Sequence, residues 1–305
     1  MPRGARIKTD KSIFHMMVRS IKEINLYNDD EDKCKYFELM KRYQLQFNFK
    51  VYGYCLMDNH GHFIIDVNGS DISRIMQCIN GSFARYYNKK YNRYGHLFQD
   101  RFKSTVVETE RYITNLSAYI HNNPKDIPGY KGRIEKYKYS SLSSYIEDKK
   151  DIFEILDRSF LTELIGLKFK ASKKKYLDFV GKCNDIEDLE NEIDIEFNKP
   201  RTEYRSERKI LARDSTPKKI IEHVISYTQG AKEEVYRKYA RKAKVTRALC
   251  AFFMRCFCNY TLKEICKVIG NITAARVSAL CKIGYELIAG KEEYKKMLYN
   301  FVEIE

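Results

Sequence analysis

Residues 50–69 read KVYGYCLMDNHGHFIIDVNG, and the way this stretch folds decides the architecture of the N-terminal half of the chain. KVYGYCLMD (50–58) and HFIIDVNG (62–69) are rich in Val, Ile, Tyr and Phe, the composition of two adjacent strands. Side chains on a strand alternate between faces, so His60 and His62 share one face while Gly61 and Phe63 point to the other. Two imidazoles on one face can share a cation, or can simply be polar residues at a strand end. Spacing alone leaves both open.

The flanking segments alternate in the same manner. SIFHMMVRS (12–20) reads as a short strand, and residues 29–48 follow as a helix opened by acidic side chains that suit its N-terminus. Asp71 or Ser73 can cap a helix from 72 whose Ile72, Ile75, Met76, Ile79 and Phe83 keep helical spacing. STVVE (104–108) is a fourth strand, and residues 109–123 are a helix stopped by Pro124. The order β-α-β-β-α-β-α predicts an α+β, ferredoxin-like (split βαβ) antiparallel sheet with helices on one face. Residues 125–150, with their Gly, Pro, Lys and Ser, read as a wrapping loop and a short helix.

From 151 onward the pattern is helical. Residues 151–165 and 174–198 carry helical periodicity, the second turning acidic at its end, and residues 199–219 form a basic linker or arm. In the last unit TLKEICKVIGNITAARVSALCKIG (261–284) has two apolar helical runs separated by Gly270-Asn271, the spacing of a helix-turn-helix or of a plain helical hairpin. The expected domains are therefore 1–150, a connector at 151–214, and a helical unit at 215–305.

Composition narrows the function classes. A net charge of +15 with 24 Tyr and no Trp suits a polyanionic partner, although Lys-, Tyr- and Ile-rich usage is also what an AT-rich genome encodes. No apolar run approaches the ~18 residues of a membrane span. The basic start, MPRGARIKTDKS, lacks the apolar core of a signal peptide, so a cytoplasmic protein is expected, with no membrane partner. The nine cysteines form no CxxC pair and read as reduced, mostly buried thiols.

On the helix at 109–123, Ile113, Leu116 and Ile120 form a stripe that can seat on the sheet, and Tyr112, Asn115, Tyr119 and Asn123 run beside it. A phenol beside a cation can become a nucleophile, because the free hydroxyl, with a pKa near ~10, is feeble until something helps it ionise. A third ligand from this helix would complete an open metal site for phosphoryl chemistry.

Six ordered blocks then carry a resemblance: MPRGAR at the start, FHMMVRS (14–20), YCLMDNHGHFII (54–65), YNRYGHLFQDRFKS (91–104), ERYITNLSAYIHNNP (110–124) and YKYSSLSSY (137–145). Together they resemble the single-tyrosine HUH transposases, and within them the REP-associated tyrosine transposases. The resemblance implies a divalent Mg or Mn ion held by His60 and His62, and a tyrosine that attacks single-stranded, hairpin-bearing DNA to leave a 5′-phosphotyrosine link and a free 3′-OH. Tyr119 matches the family's nucleophile because it begins YIHNNP, with Tyr112 the runner-up. In relatives the third ligand often lies four residues after the tyrosine, which here is Asn123; counted from Tyr112 it would be Leu116, which cannot bind a metal. The family's bulky middle residue of the histidine pair is Gly61 here, so a packing loss is expected. Relatives act as monomers or as homodimers, and the resemblance is compatible with either.

Arg85, Lys89, Lys90, Arg93, His96, Arg101 and Lys103 make a basic, aromatic-interleaved segment suited to single-stranded or hairpin DNA. His15, in the first strand, reads as structural, and His223 carries no assignment. Residues 245–283 look like the helical DNA-binding domain of the bacterial chromosomal replication initiator. That likeness implies duplex DNA contact through Asn271, Thr273, Arg276 and Ser278, although the initiator's Asp-His-x-Thr signature is replaced within NITAARV. The expected function is a DNA strand transferase. A nicking or replication-initiation endonuclease of the same chemistry, and a DNA-binding regulator with a degenerate catalytic domain, are the alternatives.

Overall fold

A computed structural model describes residues 12–22, 24–167, 170–183, 213–237 and 243–304. The opening MPRGAR, the acidic tail of the 174–198 segment and most of the basic arm lie outside the described residues. The described residues fall into two compact units, one within Met1–Lys41 and Phe49–Arg208, the other within Arg42–Asn48 and Lys209–Glu305.

In the first unit, strands β1 (Ile13–Arg19), β2 (Lys50–Leu56), β3 (His60–Asp66) and β4 (Lys103–Val107) form a four-stranded sheet in the order β2-β3-β1-β4. All three pairings are antiparallel. With helices α1 (Asp30–Phe47) and α2 (Ile72–Lys90) as the two crossovers, this is the ferredoxin-like arrangement expected from the sequence. Asp71 caps α2 by accepting a hydrogen bond from the Ser73 amide, so the Asp71 alternative is the one realised.

Helices cover both faces of the sheet, not one. On the Gly61/Phe63 face, Phe63 stacks on Tyr36 of α1, which meets Phe83 of α2 edge-on. The opposite face carries His60, His62 and Ile64, and it receives α3 (Glu110–Asn122), whose Ile113, Leu116 and Ile120 are buried as the stripe predicted. The other side of α3 is buried as well: Ser117 and His121 hydrogen-bond the Tyr176 hydroxyl of α6 (Lys170–Lys182), so α3 is sandwiched between the sheet and α6. Between them come α4 (Leu142–Ile146), whose Tyr145 donates to the Tyr52 carbonyl, and α5 (Ser159–Ile165), whose Phe160 stacks on Tyr52.

Two helical expectations are corrected. Residues 151–158 are not helical: the Asp151 carboxylate accepts from the Phe153, Ile155 and Leu156 amides and from the Tyr54 hydroxyl, and Leu156 bridges to Val51 of β2. An Asp that satisfies these amides competes directly with helix formation. At the other end, Pro217-Lys218-Lys219 are not part of an arm but the first turn of α7 (Pro217–Thr228), with Thr216 as cap and Pro at the first position, where its missing amide costs nothing.

The second unit continues with α8 (Lys232–Tyr236), α9 (Lys244–Phe257), α10 (Leu262–Ile269), α11 (Ala274–Gly290) and α12 (Glu292–Ile304). Helix α9 is the core of this unit, with nearly every side chain buried. It meets α11 at Gly284, where a Cβ would come within 2.6 Å of the Ala248 carbonyl oxygen, so only glycine allows the approach. Thr261 and Glu264 form a reciprocal capping box on α10, and Thr273 caps α11. All nine cysteines are free, most of them buried. Among the described residues no helix is long and apolar enough to cross a membrane.

Candidate active site

The site is built on β3 by the pleat. His60 and His62, two residues apart, stand on the same face with ring centroids 5.1 Å apart and planes nearly perpendicular. Their cross-strand partners on β1 are Arg19 and Met17, and directly opposed residues of an antiparallel pair share a face. Ile13, His15, Met17 and Arg19 therefore line the same side, and so do Lys103 and Thr105 of β4, opposite Met17 and His15. Helix α3 closes over this surface and brings Tyr119 to it.

Tyr119 is half-buried, and its ring lies edge-on to His62 with centroids 5.5 Å apart and to His15 at 6.4 Å. Asn123, four residues on, follows the helix as its C-cap; its amide donates to the Tyr119 carbonyl at 2.9 Å and its side chain also hydrogen-bonds His60. One helical turn thus presents a phenol to one histidine and an amide to the other. Tyr112 sits two turns earlier, in the first turn of α3, where its backbone amide binds the Thr109 cap.

Both histidines of the pair are held neutral. Burial lowers the His60 pKa, opposed by the hydrogen bond His60 donates to Asn123, with the Arg19 charge lowering it further and Asp58 raising it. Burial pushes His62 well down, and the neighbouring His15 and His60 add to the effect. Neutral imidazoles keep a lone pair for a Lewis acid. Among the described residues no three His, Cys, Asp or Glu side chains cluster as a metal cage. Two imidazoles and an amide oxygen are donor types that a divalent ion accepts, and such a set would leave positions open for phosphate and water.

His15, read from the sequence as structural, packs into this cluster. Its Nε2 shares a hydrogen bond of 3.0 Å with His62 Nδ1, and the two rings stack with centroids 5.3 Å apart. Arg19, exposed and opposite His60, was not singled out at all. The signal was present: once 12–20 is a strand, period two places His15 and Arg19 on one face.

Gly61 corrects the expected packing loss. A Cβ there would meet Leu56 Cδ2 at 2.6 Å and Phe63 Cε2 at 3.3 Å, because the fully buried Leu56 already fills the space a larger middle residue would take.

The basic segment divides into distinct settings. Arg85 and Lys89 are exposed on α2, while the Lys90 ammonium is bound to Asp29, Glu31 and Asp32. Arg93 lies over the Tyr87 ring. His96 and Arg101 are exposed in the loop before β4, and Lys103 is exposed on β4 itself. This loop runs beside the end of β1, since the Leu97 carbonyl accepts from the Ile21 amide and the Gln99 amide donates to the Arg19 carbonyl. In the second unit Arg276, Asn271 and Ser278 are exposed, whereas the Thr273 hydroxyl is committed to capping α11.

Residues 8–123 match the family described as Transposase IS200 like. No curated protein matches the chain. Among solved structures the chain resembles a REP-associated tyrosine transposase bound to a REP hairpin, with 14% identity and a TM-score of 0.41, over 48% of this chain and 86% of that one. Residues 8–123, which hold the entire sheet and the cluster of His15, His60, His62, Tyr119 and Asn123, are thus matched to the IS200-like transposase family as a domain within a longer chain.

Proposed function

We propose that the N-terminal unit cleaves and rejoins single-stranded, hairpin-bearing DNA through a covalent tyrosine intermediate, acting as a transposase. The observation that carries the reading is the meeting of Tyr119 with His62 and of Asn123 with His60 on one face of the sheet, inside the segment that matches a transposase family. In this scheme the Tyr119 hydroxyl attacks a DNA phosphorus and gives its proton to solvent, while the P–O3′ bond breaks and the departing 3′ oxygen takes a proton from solvent. The products are a 5′-phosphotyrosine and a free 3′-OH; attack by another 3′-OH reverses the step and joins strands.

His60, His62 and Asn123 would hold a Mg or Mn ion. Bound there, such an ion supplies charge that polarises the phosphate under attack. The rest is done by the chain: α3 sets the approach of the phenol, and the buried His15 and His62 rings, stacked on one another, keep water from behind it. Arg19 and Lys103, on the same face, are placed to meet the strand's phosphates, with Arg85, Lys89, Arg93, His96 and Arg101 extending the cationic surface. In the second unit α10 and α11 would meet duplex DNA through Arg276, Asn271 and Ser278.

Incubating the full chain with a hairpin-bearing single-stranded oligonucleotide and Mg or Mn tests this on a denaturing gel. A covalent protein–DNA adduct that chelator abolishes is expected. Binding without an adduct, over several hairpins and both metals, contradicts the proposal and favours a regulator.

A further inference from the structure

The geometry points to His15 as a positioning residue that fixes the tautomer of His62. This inference rests on the reading of His60, His62 and Asn123 as a metal half-site, and it goes beyond that reading by assigning a residue and an atom-level role.

His62 Nδ1 is already engaged, at 3.0 Å, by His15 Nε2. Only His62 Nε2 is left for a cation, and a neutral imidazole that offers Nε2 must carry its proton on Nδ1. That proton has one partner in the structure, the His15 Nε2 lone pair, so His15 must in turn carry its own proton on Nδ1. Histidine ligands commonly donate their second ring N–H to an acceptor that sets tautomer and ring orientation. Here the acceptor is another imidazole, buried and stacked on the first at 5.3 Å with 23° between planes. The stack holds the plane of His62, and with His15 as the acceptor the hydrogen bond leaves Nε2 as the nitrogen with a lone pair for a cation. His15 also meets the Tyr119 ring edge-on at 6.4 Å, so one side chain backs both ligand and phenol.

The test is Mn(II) binding by the metal alone to the full chain, read by electron paramagnetic resonance, with circular dichroism as a check of folding. His15→Phe keeps a ring and its stack but removes the acceptor, and is expected to weaken Mn(II) binding by about 10- to 100-fold. His15→Gln returns an acceptor near the position of Nε2, and should restore affinity to within a few-fold of wild type. Wild-type affinity in folded His15→Phe overturns the role, and so does an equal loss in both variants, which would indicate packing alone. If wild type binds no Mn(II), or His60→Ala binds it equally well, the metal reading falls and this inference with it. If His15→Phe fails to fold, ¹⁵N spectra of the metal-free wild type decide. His62 protonated at Nδ1 is the expected result, and protonation at Nε2 contradicts it.

Discussion

The Tyr119 ring stands at 87° to the His62 ring, with centroids 5.5 Å apart, although 56 residues of chain, including α2 and β4, lie between them. The relationship is produced by two periodicities. The pleat of β3 puts His60 and His62 on one face, and the turn of α3 puts Tyr119 and Asn123 on one side of a helix whose buried stripe seats it there.

Asn123 tests the second of these. Asn123→Ala removes the amide that reaches His60 and is expected to weaken Mn(II) binding about tenfold or more, as loss of a group supporting a metal site typically does. Asn123→Asp keeps an oxygen at that position and should retain binding. Equal affinity of the alanine variant and wild type in a titration would remove Asn123 from the site.

Gly61 offers a packing prediction. Gly61→Val drives a side chain into Leu56 and should cost about 1–3 kcal/mol of stability, the usual range for overpacking. Adding Leu56→Ala opens that space, so in denaturant unfolding the double variant should be more stable than the sum of the two single losses. Strict additivity would mean that Leu56 is not what excludes a larger residue.

The His121 side chain makes stability depend on acid. It is fully buried, hydrogen-bonded to the Tyr176 hydroxyl at 2.8 Å and the Ser141 hydroxyl at 2.7 Å, and burial pushes its pKa down to about 3. A folded-state pKa below the unfolded value means that the unfolded chain binds the proton first. Its contribution is therefore whole above about pH 6.5 and is lost as pH falls toward 3, at up to ~1.4 kcal/mol per pH unit. Urea unfolding at pH 6, 5 and 4 should show a shallower decline for His121→Gln than for wild type. Parallel slopes would contradict the assignment.

The cationic residues should separate by their settings. Replacing Arg101 or Lys103 with Ala is expected to reduce the slope of log affinity against log salt by about 0.7 for single-stranded DNA, the effect of one phosphate contact. Lys90→Met should leave that slope nearly unchanged and lower the melting temperature instead, because the buried Asp32 carboxylate loses its cation. A loss of about 0.7 in slope with Lys90→Met would place Lys90 on the DNA.

The strands and helices of the sheet domain were legible because each follows one strong period, and motif order singled out His60, His62, Tyr119 and Asn123, which the fold brings together. What sequence did not disclose depends on contacts between elements far apart in the chain. The contact of His15 with His62 was not legible because nothing local shows that β1 and β3 pair in the register that sets the two rings diagonally side by side. Gly61 looked like a defect because Leu56, five residues away across a turn, fills its space only once β2 and β3 pair. Residues 151–158 mimic a helical pattern, but the Asp151 carboxylate takes the amides a helix would need.

The central claim is that Tyr119 is the nucleophile. Mass spectrometry of the nuclease-trimmed, protease-digested adduct identifies the modified peptide directly. The account predicts a nucleotide remnant on Tyr119 and no adduct from Tyr119→Phe; a remnant on Tyr112, or an adduct that survives Tyr119→Phe, would contradict it.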